Sequence, residues 1–229
     1  MILDIPSRGA NMKIKTYSDI KDPSAPYVIL FHGYGADASD LRPLADAIPT
    51  EKVFNYVFPE GPIQIPLGPH WTGRGWWNID MERLQNPQLD HDISIGRPAE
   101  LDKTRQVVKQ MILDLKVPMD QIIIGGFSQG GMCAVDQYLA TDLQPKGLAL
   151  LSTAMINKDE WREVSKNKSP IPYFISHGQN DPVLKMRFSD KLHSFLSEMG
   201  CKGERVVFQG VHEIPMPVLQ KLGNWLDRL

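Results

Sequence analysis

With 229 residues, 42% of them hydrophobic and 23% charged, the chain has an ordinary soluble composition and enough length to bury a sizeable core, so a single domain spanning 1–229 is expected. A formal charge of −2 and a pI near 6.3 exclude the electrostatic footprint of a protein that binds nucleic acid or an anionic membrane. Cys133 and Cys201 are too few for a disulfide framework or a zinc site, and no stretch approaches membrane-spanning length. The opening Met1-Ile2-Leu3-Asp4-Ile5-Pro6 lacks the basic start and apolar run of a secretory signal, so the expected setting is a reducing cytoplasm.

In chain order, residues 12–17 carry a weak edge-strand pattern, and Tyr27-Val28-Ile29-Leu30-Phe31 is a clear buried strand. It runs into His32-Gly33-Tyr34-Gly35-Ala36-Asp37, after which Leu41, Leu44, Ala45 and Ile48 stand at helical spacing until Pro49. Val53 to Phe58 is the next strand. Regularity then lapses from 59 to 98, where prolines stand at 59, 62, 66, 69, 87 and 98 and Trp71, Trp76 and Trp77 cluster. A structureless loop this long is usually functional or disordered, and its aromatics favour an ordered excursion over the active face.

An amphipathic helix over 99–115 presents Leu101, Thr104, Val108, Met111, Ile112 and Leu115, and Pro118 closes it. Strands follow at Gln121 to Ile124 and Gly147 to Ser152, then an irregular polar stretch around Trp161 and a strand from Tyr173 to His177. Phe188, Leu192, Phe195, Leu196 and Met199 make a helical face, Glu204 to Gln209 a last strand, and a terminal helix carries Pro217 in its first turn. Strands alternating with helices predict a mainly parallel central sheet with helices on both faces.

Gly126-Phe127-Ser128-Gln129-Gly130-Gly131 lies between a strand and a helix. A serine attacks well only where it protrudes beside a base and near backbone N–H donors, and a tight strand-to-helix turn supplies the protrusion. Such a turn crowds the positions two before and two after the serine, which glycine relieves. Gly-x-Ser-x-Gly in this setting matches the nucleophile elbow of the α/β-hydrolase fold. The N–H of Gln129, at the helix start, is then one oxyanion donor, and the N–H of Tyr34, after the early strand, is the candidate for the second.

Chemistry in open α/β sheets gathers at the carboxyl ends of strands. Ser128, Asp181 and His212 each lie just past a different predicted strand, in the Ser, Asp, His order of this fold. His212 is expected to take and return the proton of Ser128, and Asp181 to hold the imidazole. His32 is read as shaping its loop and His177 as supporting the acid loop. Asp90-His91-Asp92 is read as a solvated turn, and neither metal nor cofactor is expected.

Two other classes stay open. Gly33-x-Gly35-x-x-Ala38, with Glu60 near the end of the next strand, fits a dinucleotide-binding fingerprint and would make the chain an oxidoreductase. The same fold also serves non-catalytic binding proteins.

Four segments carry a resemblance to a family: 31–37, 126–131, His177-Gly178-Gln179-Asn180-Asp181-Pro182-Val183 and Gly210-Val211-His212-Glu213. On these the chain resembles the phospholipase/carboxylesterase family of small α/β-hydrolases, which includes acyl-protein thioesterases and lysophospholipases. The resemblance implies a metal-independent serine esterase or thioesterase with an apolar groove for the acyl chain and a small ester or thioester as substrate. Related small hydrolases can dimerise, so monomer and homodimer both stay open. Tyr34 stands where the family often has leucine, and the tryptophan-rich stretch 70–77 departs from the expected groove-forming loop. Trp71, Trp76 and Trp77 are therefore expected to wall the acyl pocket and favour short or medium chains; the alternative is a lysophospholipase or acyl-protein thioesterase acting on long ones.

Overall fold

Apolar, β-branched runs bury both faces of a strand, and here they build the middle of an eight-stranded sheet of order β1-β2-β4-β3-β7-β8-β9-β10. The structure is a computed structural model that describes residues 2–4, 14–80 and 92–229. Its strands are β1 (Ile2–Asp4), β2 (Lys15–Asp19), β3 (Tyr27–Phe31), β4 (Asn55–Pro59), β5 (Ile63–Gly68), β6 (Trp71–Gly75), β7 (Ile122–Phe127), β8 (Gly147–Leu151), β9 (Tyr173–Gly178) and β10 (Gly203–Phe208). From β4 to β10 every neighbouring pair in the sheet is parallel, while β2 joins β4 antiparallel and β1 joins β2 antiparallel. The fold is thus of the α/β-hydrolase type, with a mostly parallel central sheet.

Six helices cover the sheet among the described residues: α1 (Leu44–Ala47), α2 (Leu101–Asp114), α3 (Gln129–Ala140), α4 (Lys158–Ser165), α5 (Met186–Glu198) and α6 (Met216–Asp227). Successive strand residues point to opposite faces and so feed two separate cores. Tyr27, Ile29 and Phe31 join a cluster with α2, α3, α4 and α5, whereas Val28 and Leu30 join one with α1 and α6. The division continues along β7, where Ile122 and Ile124 go to the first core and Ile123 to the second.

Three segments differ from the sequence reading. Residues 63–75, read as irregular, form an antiparallel hairpin of β5 and β6 that stands apart from the main sheet. The polar stretch around Trp161 is a helix, α4, whose one buried residue is that tryptophan. The helix anticipated from Ser39 is confined to Leu44–Ala47, because the preceding backbone closes tighter three-residue turns, Asp40 N–H to the Asp37 carbonyl, Arg42 to Ser39 and Leu44 to Leu41. The predicted edge strand appears as β2, with residues 12 and 13 outside the described residues; Asp90 and His91 also lie outside them.

Register decides which loops meet. Phe31 of β3 pairs with Gly126 of β7, and Phe127 of β7 pairs with Leu151 of β8. The loops after these strands therefore leave the sheet side by side, and those after β9 and β10 follow at the same edge.

Candidate active site

Ser128 terminates β7 and caps α3 with φ 54° and ψ −119°, a left-handed backbone that costs a non-glycine residue about 1–3 kcal/mol. Neighbouring bonds hold it there. Its N–H donates to the Leu151 carbonyl at 2.9 Å, and its own carbonyl accepts from the Thr153 hydroxyl at 2.7 Å and the Gly131 N–H at 3.1 Å. The flanking glycines are obligatory for contact rather than conformation. A Cβ on Gly126 would stand 2.4 Å from the Phe31 carbonyl oxygen, and one on Gly130 would stand 1.9 Å from the same atom.

Asp181 follows β9 in a tight turn, where its Oδ1 accepts from the N–H groups of Val183 and Leu184, each at 2.8 Å. Its Oδ2 faces the Nδ1 of His212 at 2.6 Å. Burial works to raise the Asp181 pKa, but the His212 bond and the Leu184 and Val183 amides outweigh it and hold the carboxyl below its ordinary value. An ionised carboxylate only accepts, so the His212 proton sits on Nδ1 and Nε2 is left as the basic nitrogen. The His212 ring rests 4.6 Å from that of Phe127, the residue before the serine.

The two loops are locked together. Gln179 and Asn180 donate their N–H groups to the carbonyls of Phe208 and Gly210, each at 2.9 Å, and a Cβ on Gly178 would lie 2.2 Å from the Val211 carbonyl oxygen. Ser152, itself at φ 45°, donates its hydroxyl to the Glu213 carbonyl at 3.2 Å. Thr153 and Ser152 are supports that sequence reading missed, since no local pattern ties them to residues 25 or 61 positions away.

Gln129 is the first residue of α3, so its N–H belongs to the donors an α-helix leaves unpaired at its start. Its buried side chain has a second task, accepting from the Trp76 N–H at 3.0 Å and donating to the Trp77 carbonyl at 2.8 Å. The loop bearing Tyr34 lies against the elbow, because a Cβ built on Gly33 would be 3.6 Å from that of Ser128. The hairpin backs this loop: the Gly35 N–H donates to the Arg74 carbonyl and the Arg74 N–H to the Ala36 carbonyl, both at 2.8 Å.

His32 fixes the start of the same loop. Its Nε2 accepts from the Gly61 N–H at 2.9 Å, and Nδ1 donates to the Gly33 carbonyl at 2.7 Å. Burial lowers its pKa to about 4, so it is a neutral post rather than a base. These contacts also remove the dinucleotide reading. The backbone a pyrophosphate would need is already covered by the hairpin, with a Cβ on Gly73 only 1.9 Å from the Gly35 carbonyl oxygen, while Glu60 pairs with Arg74 and Lys15.

The three tryptophans go to three environments. Trp71 is 72% exposed on the hairpin. Trp76 is buried in the core, edge-on to Phe31 with ring centres 5.0 Å apart, and its indole N–H donates to the His32 carbonyl at 2.9 Å. Trp77 alone of the three lines a cavity of about 310 Å³, together with Ile79, Ile93, Met132, Ile156 and Leu184. Met132 lies one turn past Ser128, and Leu184 is bonded to Asp181, so two of the lining residues belong to segments that adjoin the elbow and the acid turn. Among the described residues no group of His, Cys, Asp and Glu is placed to hold a metal ion, and no helix is long and apolar enough to cross a membrane.

Behind the elbow, Arg105 of α2 pairs with the buried Asp136 of α3 at 2.7 Å and with Glu160 of α4 at 2.5 Å. The Trp161 indole N–H also reaches Asp136, at 2.8 Å. This network ties three helices together and supports α4, whose apolar contacts are the buried Trp161 and the partly buried Val164.

A sequence model of the phospholipase/carboxylesterase family matches residues 14–229. Among curated proteins, the chain is 26% identical to acyl-protein thioesterase 1 of Debaryomyces hansenii, over 90% of this chain and 91% of that one. It is 29% identical to acyl-protein thioesterase 1 of Cryptococcus neoformans, over 83% and 79%. Among solved structures, esterase PE8 superposes with a TM-score of 0.76 at 22% identity, covering 94% of this chain and 98% of that one. The Bacillus cereus carboxylesterase gives 0.69 at 19% identity, covering 94% of each.

Proposed function

Because the chain belongs to the phospholipase/carboxylesterase family and is thus an enzyme of the ester and thioester hydrolase class, we propose that it is one catalytic domain that cleaves these bonds through an acyl-enzyme on Ser128. The observation that carries the reading is the 2.6 Å bond from His212 to Asp181, set beside a serine held in left-handed backbone. In the first half-reaction, Nε2 of His212 takes the Ser128 proton as the oxygen attacks the acyl carbon. The developing oxyanion turns to the N–H groups of Gln129 and Tyr34. Collapse expels the alcohol or thiol, which receives its proton from His212, and Asp181 stabilises the imidazolium throughout. Water then repeats the sequence and releases the acid.

The acyl chain is assigned to the cavity lined by Trp77. Each methylene buried there adds about 0.8 kcal/mol of favourable transfer. At about 310 Å³ the cavity sits at the small end of ligand sites, which supports short or medium chains. Trp76 serves by supporting the oxyanion loop, and the exposed Trp71 has no part in the wall. The acyl-protein thioesterases among the relatives favour a second reading, a long-chain thioester substrate.

A panel of p-nitrophenyl esters from acetate to palmitate, with acyl-CoA thioesters alongside, separates the two. Turnover peaking at short or medium chains and lost in Ser128→Ala is expected. A peak at palmitoyl substrates selects the second reading, and turnover that survives Ser128→Ala removes both.

A further inference from the structure

His177 is the penultimate residue of β9, fully buried, and takes no part in the proton transfers just described. Its Nε2 lies 2.7 Å from the Leu184 carbonyl oxygen and 3.3 Å from Oδ2 of Asp181. A carbonyl oxygen only accepts, so Nε2 carries the ring proton and Nδ1 carries the lone pair. That Nδ1 is buried with no hydrogen-bond partner. An apolar side chain of similar size would leave no orphaned nitrogen, so the single N–H is what this imidazole adds to the site.

The N–H closes a small ring of contacts. Leu184 donates its own N–H to Oδ1 of Asp181, accepts at its carbonyl from His177, and lines the same cavity as Trp77. Asp181 is thereby gripped through both oxygens, Oδ1 by the turn amides and Oδ2 by His212 with a longer approach from His177. We propose that His177 is a positioning residue for the hydrolase reaction, which orients the Asp181 carboxylate toward His212 and at the same time fixes Leu184 as part of the acyl wall. This inference rests on the acyl-enzyme reading above.

The charged and titratable groups whose fields reach His177 are Asp181, His212 and Asp190. Burial keeps the His177 ring neutral, with its pKa below the ordinary histidine value, so its N–H is present as a donor across the working range. His212 bonds to Oδ2, and the His177 N–H, whose own bond goes to the Leu184 carbonyl, lies close enough at 3.3 Å that two N–H dipoles act on the same charge. Taking one away concentrates the carboxylate charge on His212, which favours the imidazolium and moves the acidic limb of the kcat/KM profile to higher pH.

The test uses His177→Leu, which removes the donor, and His177→Gln, whose amide nitrogen is the same number of bonds from Cβ. Thermal melts are recorded to count the folded fraction. For His177→Leu, kcat is expected to fall about tenfold to a hundredfold, the size of effect a slightly misplaced catalytic group produces. The acidic limb is expected to move upward, and the acyl-chain profile to flatten as Leu184 loosens. His177→Gln is expected to return the limb to its wild-type position and recover most of kcat. A wild-type limb and chain profile in His177→Leu, with activity lost only in proportion to unfolded protein, overturns the proposal. Ser128→Ala run alongside reports on the underlying reading separately, since a dead Ser128→Ala with an unaffected His177→Leu refutes this inference alone.

Discussion

His32 and His212 both follow parallel strands and both stand at the carboxyl edge of the sheet, yet their surroundings make them different chemical objects. His212 meets a carboxylate through Nδ1, keeps Nε2 basic, and its side chain is 15% exposed beside the elbow. His32 meets a backbone carbonyl and a backbone N–H, is fully buried, and stays neutral until about pH 4. A carboxylate partner prepares an imidazole to become charged, whereas a donor and an acceptor of the backbone use up both nitrogens and prevent it. The first arrangement suits proton transfer, and the second holds a loop.

The comparison breaks most severely at Asp181. Asp181→Asn would offer His212 an amide in place of a charge and allow the wrong tautomer, so kcat should fall about 10⁴-fold while the far-UV spectrum is kept. A burst-free steady-state assay on a p-nitrophenyl ester measures this. Asp136 is a carboxylate buried for structure alone, and it supplies the contrast. Asp136→Ala leaves Arg105 with Glu160 but removes its buried partner and the acceptor of the Trp161 indole, and should cost about 3 kcal/mol in urea unfolding, with kcat per folded molecule retained.

His32 tests the other half of the comparison through pH. Its unfolded form takes up a proton near 6.5 and its native form near 4, so between these values the unfolded state binds more protons. The stabilisation is complete above pH 6.5 and drains away as pH falls toward 4, amounting to about 3 kcal/mol over that window. Urea titrations at a series of pH values should show a shallower acid loss in His32→Gln than in the wild type. Next in size is Gly73→Ala, which drives a methyl into the Gly35 carbonyl and should cost about 1–3 kcal/mol together with some turnover, as the oxyanion loop is displaced. Trp71→Ala is the smallest, within about 0.5 kcal/mol by thermal unfolding, because the indole lies open on the hairpin.

How much of this was legible in the sequence follows from what each segment buries. The parallel strands bury both faces, so Tyr27 to Phe31 and Ile122 to Ile124 read as unbroken apolar runs, and the residues just past them could be placed at one edge. The hairpin buries only Ile65 and the close-packed Gly73 and Gly75, and with Pro66, Gly68 and two further glycines breaking the short Ile63-Gln64-Ile65 alternation it did not read as a strand pair. Helix α4 was hidden for a related reason, since its apolar face is only Trp161 and Val164 and the rest is held by a charge network. Ser128, Asp181 and His212 were visible because elbow spacing and strand ends are local features. The Leu184 N–H meets Asp181 only three residues away, but Thr153 and Ser152 clamp the site with hydroxyl-to-carbonyl bonds across 25 and 61 residues, and nothing local announces those.

The most direct test of the acyl-enzyme account is intact-protein mass spectrometry on enzyme quenched during turnover of p-nitrophenyl butyrate. The account predicts a population heavier by one butyryl group, mapped by peptide digestion to Ser128, seen transiently in the wild type and absent in both Ser128→Ala and His212→Gln. Turnover without any adduct on Ser128, or an adduct on another residue that persists in Ser128→Ala, would contradict it.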